Sequence, residues 1–288
     1  MAIPLFFPPH NVGASSSYAR RSSDKAREGE VLQLRPCDVV GAFLGDATLA
    51  RRLYVTDIYL YEERELPMHE FLRVDLYDRC TGMCNCIFVE RAAPAQTLAE
   101  EADNAFLRTF ACFFAGGEAA DSFIIPCRRS YTRRPRQLAE KQYRLLRSLH
   151  MPSEQPFTLE ELSVICDVVS QKYPEYKSLT SQCFWYARSV LGIAASVAGP
   201  DAEHHVYSAP EHPSSRRNRV YRGVKAMSQA RANHQRAELA SDFESAWKTF
   251  RRRRDDRSRH DRRPSHKRGV RHPPQRRSLG HTTSSRAE

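Results

Sequence analysis

Residues 71–78 read FLRVDLYD. In an extended chain Leu72, Val74 and Leu76 share one face, and Arg73, Asp75 and Tyr77 share the other. Strict alternation marks a strand with one buried face, because successive side chains of a strand point to opposite sides. Upstream, residues 53–62 (LYVTDIYLYE) are rich in β-branched and aromatic types and predict another strand. Downstream, Thr81-Gly82 marks a turn and residues 86–90 (CIFVE) form a further apolar run, so the spacing predicts a β-hairpin. Residues 122–126 (SFIIP) supply one more short strand.

Helical patterns follow the strands. Residues 95–110 carry Glu100 and Glu101 early and Arg108 late, the order a helix dipole favours. Residues 135–150 read as an amphipathic helix through Leu138, Tyr143, Leu145, Leu146 and Leu149. Thr158-Leu159-Glu160-Glu161 is a capping box and opens a run with Leu162, Ile165, Cys166 and Val169 on one face, which Pro174 stops. Thr180 or Ser181 caps the next helix, which runs through Phe184, Ala187, Val190 and Leu191 to about residue 196. The expected fold is α+β: a small antiparallel sheet with a β-hairpin, then packed helices, then a disordered basic C-terminal extension.

The chain has 288 residues, of which 45 are Lys or Arg and 34 are Asp or Glu. The basic surplus lies in the last third, with 22 basic and 10 acidic residues in 201–288 against 23 and 24 in 1–200. A near-neutral body therefore carries a basic extension. No run of about 18 apolar residues exists, which excludes a membrane-spanning helix. The expected organisation is a disordered segment over 1–30, an α+β domain over 31–198, a linker over 199–219, a helix over 220–250, and a disordered basic tail over 251–288. The helix has Leu239, Phe243, Trp247 and Phe250 at helical spacing, and alone it would be marginal.

The first nine residues hold an apolar patch without a basic flank, so no secretory signal is expected and the protein is placed in the cytoplasm or nucleus. The eight cysteines are then expected as reduced thiols. Cys80, Cys84 and Cys86 cluster in the hairpin, but zinc needs a fourth ligand and a second pair is lacking. No metal and no cofactor are expected.

Cys183 lies in the first turn of a predicted helix, where unsatisfied backbone N–H groups favour a thiolate nucleophile. His69 directly precedes the alternating strand and is the candidate general base. The plainer alternative is a small buried thiol and an ordinary strand-edge histidine.

A histidine at a strand start, a hairpin, a long gap and then Gln182-Cys183-Phe184-Trp185-Tyr186-Ala187 at a helix start resemble the circularly permuted papain-like fold of the lecithin:retinol acyltransferase family. Over residues 53–196, Cys183 matches that family's nucleophile, Gln182 stands at its Asn and Tyr186 at its Phe, while Phe184 and Trp185 replace its Glu and His. Thr81 falls where the family has a second histidine, so the third catalytic group is not identified. The arrangement is also similar to uncharacterised fungal proteins, a likeness that implies the fold and no activity. The resemblance implies acyl transfer, or amide or ester hydrolysis, through a thioester on Cys183, with His69 carrying the proton and helix-start N–H groups holding the oxyanion.

The tail offers Arg251, Arg252, Arg253, Arg254, Arg262, Arg263, Lys267 and Arg268. Such runs bind phosphate backbones and serve as nuclear-import signals. The expected function is a papain-like thiol acyltransferase or hydrolase, intact or degenerate, acting on an acyl or amide substrate. The alternative is a non-catalytic binding protein whose tail meets nucleic acid or an import receptor.

Overall fold

The structure, a computed structural model, describes residues 31–46, 49, 51–63, 69–92, 116–126, 143–154, 156–177, 183–207 and 216–261. The elements in chain order are β1 (Val31–Leu34), α1 (Pro36–Gly45), β2 (Leu53–Glu63), β3 (Glu70–Asp78), β4 (Cys84–Ala92), β5 (Gly116–Glu118), β6 (Ala120–Pro126), β7 (Tyr143–His150), α2 (Leu159–Lys172), β8 (Glu175–Lys177), α3 (Cys183–Ala198), β9 (Glu203–Val206) and α4 (Arg216–Asp261). Seven strands form an antiparallel sheet in the order β1-β6-β4-β3-β2-β7-β9, and β5 and β8 form a small second one.

The expected hairpin is β3–β4, in register Leu72↔Val89 to Tyr77↔Cys84. Its turn is built on Asp78, which accepts from the Cys80 N–H at 3.0 Å and the Thr81 hydroxyl at 2.6 Å, and Gly82 supplies the left-handed step at φ 68°. Leu72, Val74, Leu76, Ile87 and Val89 face the main core, whereas Phe71, Cys86 and Phe88 form a second cluster on the opposite face with Ile124.

The helices cover the first face. α3 touches β2, β3 and β4 beneath it and α4 and α2 beside it. It is therefore buried almost all round, from Cys183, Phe184, Trp185 and Tyr186 to Ala198. α2 begins at the predicted capping box: the Thr158 hydroxyl accepts from the Glu161 N–H at 3.2 Å, and the Glu161 carboxylate accepts from the Thr158 N–H at 2.8 Å. Thr158→Ala is expected to lose about 1 kcal/mol, read as a lower urea midpoint at unchanged slope.

Several expectations are corrected. Residues 143–150 are strand β7, although the spacing of Leu138, Tyr143, Leu145, Leu146 and Leu149 predicted a helix over 135–150. The open edge of β2 offers a ladder from Asp57↔His150 to Glu63↔Tyr143, and that pairing overrides local propensity. The linker over 199–219 contains β9, which extends the same edge by pairing with β7. The helix expected over 220–250 runs from Arg216 to Asp261, so residues 251–261 are helical rather than disordered. Ala232, Leu239, Phe243, Phe250 and Arg254 form its buried stripe. Residues 1–30, the helix expected over 95–110, the caps Thr180 and Ser181, and residues 262–288 lie outside the described residues.

Candidate functional site

β3 begins one residue after His69, α3 begins at Cys183, and β4 carries Glu90 near its end. The structure brings these three together. His69 Nε2 lies 3.3 Å from Glu90 Oε2, and the Cys183 thiol lies within hydrogen-bonding reach of the ring. Burial disfavours the charged imidazole, but Cys183, by charge and hydrogen bond, and then Glu90 outweigh it. The His69 pKa is raised well above the ordinary imidazole range. The ring is also fixed from the side, stacked on Phe71 with centroids 6.0 Å apart and planes 23° apart. His69 and Glu90 keep 23% and 24% of their side-chain surface, and Cys183 is 5% exposed.

Glu90, which holds the far side of the His69 ring, is not singled out by any motif in the sequence. Its signal was the lone charge ending CIFVE, one residue beyond the Leu72↔Val89 pair of the hairpin. The strand neighbours of the two site residues point to the opposite face and grip α3. Glu70, next to His69, accepts from Arg188 Nε at 2.7 Å and Nη2 at 2.6 Å. Arg91, next to Glu90, donates twice to Asp121 at 2.6 Å, and its guanidinium lies 5.4 Å and 4.9 Å from the ring centroids of Trp185 and Tyr186. The period-two alternation of the strands thus aims one residue at the site and the next at the helix that carries the thiol.

The remaining thiols differ. Burial pushes the Cys166 thiol far up, which makes it inert. Cys37, Cys80 and Cys84 are exposed, and Cys86 is buried in the Phe71 cluster. Among the described residues, no group of three or more His, Cys, Asp or Glu side chains is arranged to hold a metal ion.

A second histidine has triad-like bonds. His150 Nδ1 bonds Asp57, and His150 Nε2 lies 3.2 Å from the Ser148 hydroxyl. Ser148 is fully buried and its hydroxyl also meets the Tyr207 phenol at 3.3 Å, so it presents no surface to a substrate.

Of the basic tail residues, Arg251, Arg252 and Arg253 are exposed on α4. Arg254 is buried and donates to Glu160 at 3.3 and 3.4 Å, so it is not part of a solvated run. Arg262, Arg263, Lys267 and Arg268 lie outside the described residues. No helix among the described residues is long and apolar enough to cross a membrane. No protein-family model, curated protein or solved structure matches the chain.

Proposed function

We propose that the protein is a thiol acyltransferase or hydrolase of papain-like organisation, with Cys183 as nucleophile, His69 as proton carrier and Glu90 as the group that orients the imidazole. The observation that carries this reading is the single ring shared by Cys183 and Glu90. A Glu90 carboxylate accepting from Nε2–H leaves the other ring nitrogen for the thiol, the arrangement a nucleophile–base–orienter set requires. The sulfur attacks an acyl carbon and His69 takes its proton. The backbone N–H groups at the start of α3 hold the oxyanion. His69 then protonates the leaving amine or alcohol, a thioester remains on Cys183, and water or an acceptor nucleophile releases the acyl group.

The test is iodoacetamide labelling read peptide by peptide, because Cys37, Cys80 and Cys84 also label. At pH 6.5, His69→Ala is expected to slow alkylation of Cys183 about tenfold or more, and Glu90→Gln by a smaller factor, within the range that a positioned base contributes. Alkylation at the same rate in His69→Ala would sink the proposal. The low exposure of Cys183 favours the alternative reading, a non-catalytic binding protein, and a Cys183 inert at every pH would select it.

A further inference from the structure

A cleft of about 290 Å³ opens where the start of α2 meets the last third of α4, away from Cys183. We propose that it accepts a base of a single-stranded nucleic acid, whose phosphates continue along the arginines of α4. Two aromatic side chains, Tyr54 and Trp247, line the cleft with Arg51 and Arg251. The acids in its wall are already engaged. Glu160 takes the buried Arg254 and the Arg51 N–H, and Glu161 closes the capping box with Thr158. The exposed side chains of Arg51 and Arg251 have no ion pair among the described residues.

Two further features point to a ligand. Arg51 holds φ 54°, a left-handed conformation that non-glycine residues rarely adopt and that concentrates at binding sites. Trp247 is held in place beside Phe243 and Phe250, with ring centroids 6.3 and 5.3 Å away and planes nearly parallel, and the Arg251 guanidinium lies 5.8 Å from its centroid. Beyond the cleft, Arg252, Arg253, Arg257 and Arg259 are exposed on the same helix, and residues 248–259 hold seven basic against two acidic side chains. Aromatic platforms beside a cationic track are how proteins hold unpaired bases and their backbone. The volume falls just below the range of about 300–1,000 Å³ for drug-sized ligands, which suits one base. An acidic peptide would use the arginines and leave Tyr54 and Trp247 without a role.

The experiment uses the full chain and a fluorescein-labelled twelve-nucleotide oligouridylate. Anisotropy gives affinity and intrinsic fluorescence gives position. Trp185 is fully buried, so quenching by the strand reports on Trp247. Quenching is expected in the wild type and is expected to vanish in Trp247→Phe. With about four phosphates engaged, affinity should fall about fiftyfold between 50 and 200 mM salt. Arg51→Ala/Arg251→Ala, checked for an unchanged circular dichroism spectrum, should weaken binding at least about tenfold, because both cations would face the strand's phosphates. The proposal is overturned if quenching persists in Trp247→Phe. It is also overturned if the double variant binds like the wild type, which would assign binding to residues 262–288 alone. Equal displacement of the strand by polyglutamate would overturn it too, by marking an acidic protein partner. Cys183→Ala should leave all these readings unchanged, which separates this site from the proposed catalytic one.

Discussion

Arg91→Ala should cost the fold about 3–5 kcal/mol, the loss expected when one partner of a buried ion pair is removed. Arg91 is fully buried and its two 2.6 Å bonds to Asp121 are its tie to β6. Without the guanidinium, Asp121, 7% exposed, keeps a buried carboxylate with no other cation paired to it among the described residues. The rings of Trp185 and Tyr186 lose the cation they pack against, and a cavity opens at the first turn of α3. Domains hold only about 5–15 kcal/mol in total, so this single change should bring the chain near its unfolding threshold at 37 °C. Urea denaturation followed by circular dichroism measures it. Arg91→Leu/Asp121→Leu should recover most of the loss, because an apolar pair leaves no charge stranded. A loss below about 1 kcal/mol in Arg91→Ala would mean that water reaches Asp121.

Cys183→Ala has the second large effect, on chemistry rather than stability. Hydrolysis of an activated ester such as p-nitrophenyl acetate, and any acyl adduct seen by intact mass, should fall at least about a thousandfold, as when a nucleophile that acts as a unit with its base is deleted. The same change removes one small atom from the end of a helix. It should cost about 1 kcal/mol or less, at the low end of core truncations, and the melting temperature should barely move. Loss of activity with retained stability separates the nucleophile from a structural thiol. Cys166→Ala serves as the control, since its sulfur is buried and inert and should carry no acyl group. Turnover by Cys183→Ala equal to that of the wild type would remove Cys183 from the chemistry.

The sheet centre and the start of α2 were legible because their signals are local. Alternation in 71–78, the Thr81-Gly82 turn and the Thr158–Glu161 capping box each state their structure within a few residues. The parts that escaped depend on distant partners. Residues 143–150 have helix-forming composition and become a strand only because β2 presents an unpaired edge. β9 has four exposed residues of which only Val206 is apolar, too little to mark a strand, and it exists because β7 is there to pair with. α1 did carry a local sign, Pro36 at its first position and Asp38 in its first turn, but Arg35 in front of it offers no capping side chain. α4 continues past Phe250 because Arg254 extends the buried stripe by pairing with Glu160, which a hydrophobic pattern does not register.

The site was legible to the same degree. Cys183 and His69 stood out by position, one at a helix start and one at a strand start. Glu90 carries no such sign, because its meaning comes from what lies beside it across the hairpin.

The neighbouring roles of Glu90 and Arg91 also guard assembly. A one-residue slip of β4 against β3 exchanges the two faces of the strand. Glu90 would then be driven under α3 with no cation, and Arg91 would be lifted away from Asp121 and out among the aromatic rings around Phe71. Such a misfold loses the clamp and strands a charge in one step. Chains in the wrong register are therefore unstable and also lack the Cys183–His69–Glu90 arrangement, which comes only with the correctly zipped sheet.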